Sequence, residues 1–175
     1  MLASRAKSMR AFDVSEEMLR VCRQRLEASG LSNWKVEVAD HRQLPVEDGS
    51  ADLVVSGWSV AYLHVWHPDT WRVELGKWLG EMKRVLRRDS YIVLFESLGT
   101  GNESPIQLEH LKDYYPWLDE VGFQNKWFRT DYKFASVEEA EELSRFFFGD
   151  ELGDKVKANG WVVIPECTGI WWLKV

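Results

Sequence analysis

Only two cysteines, Cys22 and Cys167, occur in the 175 residues. They cannot build a disulfide framework and lack the spacing of metal ligands, which predicts free thiols in a reducing, cytoplasmic setting and no bound metal. No apolar run approaches the ~20 residues of a membrane-spanning helix. The longest nearly uncharged stretch, residues 53–66, falls short and contains His64. The first ten residues carry Arg5, Lys7 and Arg10 without a continuous apolar segment, so they do not read as a secretory signal. No cluster of Lys and Arg interleaved with aromatics is present, and a net charge of −6 opposes capture of a phosphate backbone. A nucleic-acid partner is therefore not expected. Internal repeats and low-complexity linkers are also missing, so residues 1–175 read as a single domain.

What is present is a globular composition, 45% hydrophobic and 29% charged, with ten tryptophans spread along the chain as core and pocket material. Residues 11–13 end a short strand. Ser15, followed by Glu16 and Glu17, reads as a helix N-cap with an acidic first turn. Met18, Leu19, Cys22 and Leu26 recur at helical spacing until Gly30 supplies the stop. Residues 34–39 alternate as a second strand, and the short apolar run 53–55 after the turn at Pro45 and 47–50 reads as a third. Trp71, Leu75, Trp78, Leu79, Met82, Val85 and Leu86 trace one amphipathic helix, and residues 91–95 follow as an apolar strand. Beyond them the pattern predicts a helix near 106–121, a strand near 126–134, a helix from Val137 to about Lys157 capped by Ser136, and a closing strand or hairpin over 161–164 and 169–173. Alternating strands and helices predict crossover connections and a parallel sheet.

Asp13-Val14-Ser15-Glu16-Glu17-Met18-Leu19 resembles the second-strand signature of the class I S-adenosylmethionine-dependent methyltransferases. Ala39-Asp40-His41, Leu44-Pro45 and Asp48-Gly49-Ser50-Ala51-Asp52-Leu53-Val54-Val55 are similar to that family's third strand, acidic turn and fourth strand. The helix ending Glu81-Met82-Lys83-Arg84-Val85-Leu86 is similar to the one leading into its fifth strand. No single piece is specific, but four in the right order cover most of residues 9–97. The resemblance implies a Rossmann-like methyltransferase α/β fold: a mostly parallel sheet with an antiparallel C-terminal strand or hairpin, and helices on both faces. It implies S-adenosylmethionine as cofactor and a small-molecule methyl acceptor.

The implied cofactor-binding residues are Asp13, Met18, Asp40, His41, Gly57 and Trp58. A carboxylate at a strand's carboxyl end can accept hydrogen bonds from ribose hydroxyls, the role implied for Asp13; its plainer role is to cap the helix. Asp40 with the backbone N–H of His41 would read the adenine, or Asp40 simply ends its strand. Gly57 and Trp58 follow the fourth strand, where the chain passes close to the transferring methyl group. Tyr62, His64 and His67 lie just beyond as candidates for catalysis, although methyl transfer needs chiefly alignment of nucleophile and sulfonium. Tyr132 reads as core and Glu166 as turn.

The sequence departs from the pattern at its start. The family's first strand and glycine-rich turn should precede Asp13 by some 20 residues, and only twelve residues, none a glycine, stand there. Gly99-Thr100-Gly101 offers part of such a spacing but has Ser104 where a third glycine would be. Residues 2–7 read instead as the last turns of the helix that would follow that loop. Arg87-Arg88-Asp89-Ser90 stands where the family has a proline-glycine-glycine turn. The expectation is a domain incomplete at its N-terminus, with two strand edges facing a gap or closed up against each other. Such a chain is expected to be of marginal stability, to self-associate through exposed strand edges and to bind cofactor weakly. The contrasting expectation is a non-catalytic, methyltransferase-like interaction domain. A Rossmann dehydrogenase is a weaker third alternative.

Overall fold

The computed structural model describes residues 2–175. A single 3₁₀ turn, Leu2–Arg5, occupies the start where the last turns of a helix were expected. Strand β1 (Met9–Asp13) leads into helix α1 (Glu16–Ala28) and returns as β2 (Trp34–Val38), parallel to β1. The helix begins where the sequence dictates. Ser15 has extended backbone, and its Oγ accepts from Met18 N at 3.3 Å, satisfying one of the amides that a first helical turn leaves unpaired. Ala3, Leu19, Leu26 and Val36 close a small core between α1 and this strand pair.

Strand β3 (Ala51–Gly57), helices α2 (Ala61–Trp66) and α3 (Trp71–Val85), and strand β4 (Leu86–Thr100) form the second half of the alternation. After a 3₁₀ turn at Glu109–Leu111 come α4 (Tyr114–Glu120), β5 (Gln124–Arg129), β6 (Tyr132–Lys133), α5 (Val137–Phe148), α6 (Asp150–Asn159), β7 (Val163–Ile164) and β8 (Glu166–Lys174). The main sheet has the order β3-β4-β8-β5. Its β3–β4 pairing is parallel, and β8 runs antiparallel between β4 and β5. The expected mixed sheet is therefore present, with the C-terminal strand inserted rather than added at the edge. One face of it carries the principal core, where Leu75, Trp78, Met82, Ile92, Leu94, Tyr114 and Leu118 are buried under α2, α3 and α4. The opposite face shows Leu53, Val55 and Tyr91 to solvent.

Three local expectations need correction. The helix from Val137 is broken in two by Gly149, whose φ of 91° no helix accommodates, and α6 restarts immediately after it. Residues 87–90 do not form a turn; β4 runs through them, and Asp89 absorbs the irregularity with φ of 63°. Residues 106–121 hold one 3₁₀ turn and the short α4 rather than one long helix.

β1 and β3 do not close up against each other. Among the described residues each pairs on one side only: β1 with β2 in a two-stranded sheet, β3 at the edge of the four-stranded sheet, while β6 and β7 form a third, two-stranded sheet. The segment between β2 and β3 ties the first two sheets together. Leu44 N donates to Glu81 Oε1 on α3 at 2.6 Å, while Arg84 Nη1 and Nη2 donate to the carbonyls of Val46 and Leu44 at 2.8 and 3.1 Å. Gly49 N and Ser50 N donate to the carbonyls of Arg84 and Val85, both at 2.9 Å. This network positions the carboxyl ends of β1 and β2 relative to that of β3. No described helix is long and apolar enough to cross a membrane.

Candidate functional site at the strand carboxyl ends

In open α/β sheets, ligands bind beyond the carboxyl ends of the parallel strands. Here that edge carries Asp13 at the end of β1, Asp40 and His41 just past β2, and Gly57 and Trp58 at the end of β3. The pairing of β1 with β2 makes the first two neighbours: Asp13 stands opposite Val38, and Ala39 N donates to Asp13 O at 3.1 Å. Asp13 Oδ1 accepts from Ser15 N at 2.8 Å. Its Oδ2 receives no donor among the described residues, so capping consumes only part of the carboxylate.

Asp40 is held more firmly. Arg42 grips it side-on, Nε to Oδ1 at 3.0 Å and Nη2 to Oδ2 at 2.6 Å, and Arg42 N adds a bond to Oδ1 at 2.8 Å. The side-chain bonds from Arg42 push the Asp40 pKa down to about 2. Arg42 Nη1 also reaches Glu74 on α3, which Lys77 Nζ contacts at 2.7 Å. Asp40, Arg42, Gln43, His67, Glu74 and Lys77 line an open pocket of about 430 Å³. His41 is half-buried, and burial lowers its pKa, favouring the neutral ring.

At the end of β3, Gly57 has open space where a Cβ would stand. Trp58 has φ of 50°, a left-handed conformation that costs a bulky residue energy. Its N–H donates to Phe95 O at 2.7 Å, and its ring stacks on Phe95 at 6.2 Å.

The remaining candidates lie on α1, on α2 and on the wall of the Asp40 pocket. Met18 lies in the first turn of α1 with its side chain 60% exposed. Tyr62 stacks on Trp66 at 4.7 Å on an exposed helix surface. His64 turns away from the edge toward α3 and α4, its ring 4.8 Å from Trp71 and 6.3 Å from Tyr114, and burial lowers its pKa. His67 is on the pocket wall beside Arg42.

Two further residues expected elsewhere are relocated. Glu166 is not in a turn: it opens β8, is 1% exposed, and accepts from Ser97 Oγ at 2.7 Å. Tyr132 is not core; it stands on the exposed β6 ribbon.

Two charged neighbours of the candidate residues are not signalled by the resemblance. Arg42 gives only a faint signal, a base two residues after an acid. Glu96 was more legible, as a carboxylate ending an apolar strand. It is 3% exposed, and burial pushes its pKa up to about 7. The cofactor implied by the resemblance fits this edge in chemical terms. Asp13 Oδ2 is a free acceptor, Asp40 is an acceptor whose charge is favoured by Arg42, and Gly57 leaves room for close approach.

Comparisons with known proteins bear on the family and the fold. The family model described as a methyltransferase domain matches residues 1–94. An uncharacterized Escherichia coli K12 protein, YafE, is 28% identical over 100 residues, which are 57% of this chain and 44% of that protein. The chain thus aligns with less than half the length of that curated relative. The YcgJ protein of Bacillus subtilis superposes with a TM-score of 0.61 at 13% identity, covering 99% of this chain and 85% of its own. A SAM-dependent methyltransferase from Aquifex aeolicus gives 0.54 at 18% identity, covering 96% and 69%. At these identities the structural likenesses establish the fold. Because the family model spans just over half of the chain, in the segment that carries β1, β2, β3 and most of β4, the chain belongs to the methyltransferase-domain family.

Proposed function

We propose that the protein transfers a methyl group from S-adenosylmethionine to a small-molecule acceptor, with the cofactor lying across the carboxyl ends of β1, β2 and β3. One observation carries the reading: a half-free carboxylate at Asp13 ends β1 beside the segment that carries the ionised Asp40, and Gly57, with open space where a Cβ would stand, ends β3. Asp13 accepts from the ribose hydroxyls and Asp40 from the adenine amino group. The bound sulfonium supplies the electrophilic methyl. What the chain contributes is placement of cofactor and acceptor along this edge, and such alignment accounts for a large part of the reaction's acceleration. A proton-transfer residue is not required by this reading, so Tyr62, His64 and His67 carry no assigned step.

Saturable binding of S-adenosylhomocysteine, weakened at least tenfold by Asp13→Ala, is the expected calorimetric result. Unchanged affinity in the variant would remove Asp13 from the site. A screen of small amines, alcohols and thiols with radiolabelled methyl donor then identifies the acceptor.

A second reading rests on the open edges of β1 and β3. Unpaired parallel edges beside exposed Leu53 and Val55 favour self-association or a scaffolding role of the same fold. Light scattering after size exclusion decides it: a monomer at all concentrations refutes it.

A further inference from the structure

The segment joining β3 to α2 has little local support. Trp58 holds a left-handed backbone, and α2 begins at Ala61 behind Val60, which offers no side-chain cap. Backbone strain of this kind persists only where the surroundings over-determine it. Three bonds do so here. Trp58 N donates to Phe95 O, Ser56 and Ser59 share a hydroxyl bond at 2.6 Å, and Ala61 N donates to Glu96 Oε1 at 3.3 Å. The last is the only one of the three supplied by a side chain from outside the segment.

Glu96 stands one residue past the point where β4 pairs with the end of β3, and it points into the helix-covered face beside Ile92 and Leu94. The same Oε1 accepts from Tyr114 Oη on α4 at 3.0 Å. One buried oxygen thus joins the sheet, the start of α2 and the start of α4. A local N-cap such as Ser or Asp at position 60 would hold α2 without regard to the sheet. Capping from β4 instead makes the position of α2, and of Trp58 before it, depend on the strand that borders the candidate site.

We propose that Glu96 is a positioning residue that acts in place of a local cap, fixing the strained residue 58–61 segment against the carboxyl end of β4. On the methyltransferase reading, this holds Gly57 and Trp58 at the distance the cofactor requires; the tether itself does not depend on that reading.

Amide hydrogen exchange on the full chain tests the tether, and S-adenosylhomocysteine titration tests its consequence. In Glu96→Ala, amides of residues 58–63 are expected to exchange at least tenfold faster while those of α3 and the middle of β4 are unchanged, and affinity is expected to fall about tenfold. Glu96→Gln keeps an oxygen that can accept from Ala61 N and Tyr114 Oη, so it should restore both readouts to within about threefold. Tyr114→Phe leaves the Ala61 bond intact and should accelerate residues 58–63 by less than threefold. Unchanged local exchange in Glu96→Ala, or acceleration spread over the whole chain, overturns the proposal. So does a Glu96→Gln variant that behaves like the alanine. If the parent chain binds no S-adenosylhomocysteine, the cofactor reading fails, and the exchange experiment still decides the tether.

Discussion

Replacing Arg42 by alanine tests how much of the Asp40 carboxylate's placement comes from one neighbour. In the native chain the guanidinium holds Asp40 through two side-chain bonds at 2.6 and 3.0 Å and lowers its pKa from the ordinary 3.8 to about 2. That change corresponds to at most ~2.4 kcal/mol at 1.36 kcal/mol per pH unit. The Asp40 side chain is 37% exposed, so solvent screening reduces the figure to about 1 kcal/mol. For a chain of this length that is roughly 2–4 °C in melting temperature. The sign follows from a depressed carboxylate. The contribution is complete above the unfolded value near 4 and is lost as pH falls through the folded value near 2. The difference in unfolding free energy between native and Arg42→Ala, measured by urea titration, should therefore be present at pH 7 and shrink on approaching pH 3. Affinity for S-adenosylhomocysteine should fall roughly fivefold as the carboxylate loses its orientation, since ~1 kcal/mol is about that factor. A stability difference that is absent at pH 7, or equally large at pH 3, would refute the reasoning.

Glu96 titrates in the opposite sense: its folded pKa of about 7 lies above the ordinary 4.5, so the stability it contributes is complete below pH 4.5 and declines as pH rises through 7. Glu96→Gln should flatten that slope, worth at most about 3 kcal/mol, and melt higher than the native chain at pH 8. Gly101 has φ of 75°, and a Cβ there would stand 2.5 Å from Leu152 Cδ1. Gly101→Ala should cost about 1–3 kcal/mol in denaturant titration, with loosened protease resistance in α6; a neutral result would mean that α6 moves freely over this edge. Leu94 is fully buried in the main core. Leu94→Ala should destabilise by about 2–5 kcal/mol, and a loss under 1 kcal/mol would show that the face of β4 toward α3 is not tightly packed.

Sequence alone determined the elements whose signals are local. Ser15 and Ser136 cap α1 and α5 as read, with Oγ accepting at 3.3 and 3.2 Å, because a cap bonds amides only three residues away. The strands around Asp13, Asp40 and Gly57 were legible because apolar pattern and turn chemistry are short-range, and their order carried the family likeness. Gly149 was overlooked because residues on both of its sides keep a helical pattern; its positive φ splits the helix.

What depended on distant residues was decided only by the tertiary structure. Arg42 neighbours Asp40 in sequence, but its guanidinium also reaches Glu74 of α3, 32 residues away, a contact that only packing makes. Glu166 is buried because β8 enters between β4 and β5, so a stretch that reads as a turn becomes an interior strand end. Glu96 caps a helix 35 residues away in sequence, a pairing that exists only after β3 and β4 have aligned in register. The residue 44–48 segment between β2 and β3 is tied to α3 by Glu81 and Arg84, 36 to 40 residues away in sequence. Local pattern encodes where strands end; which charges meet at those ends follows from packing, because the groups that meet come from elements far apart in the chain.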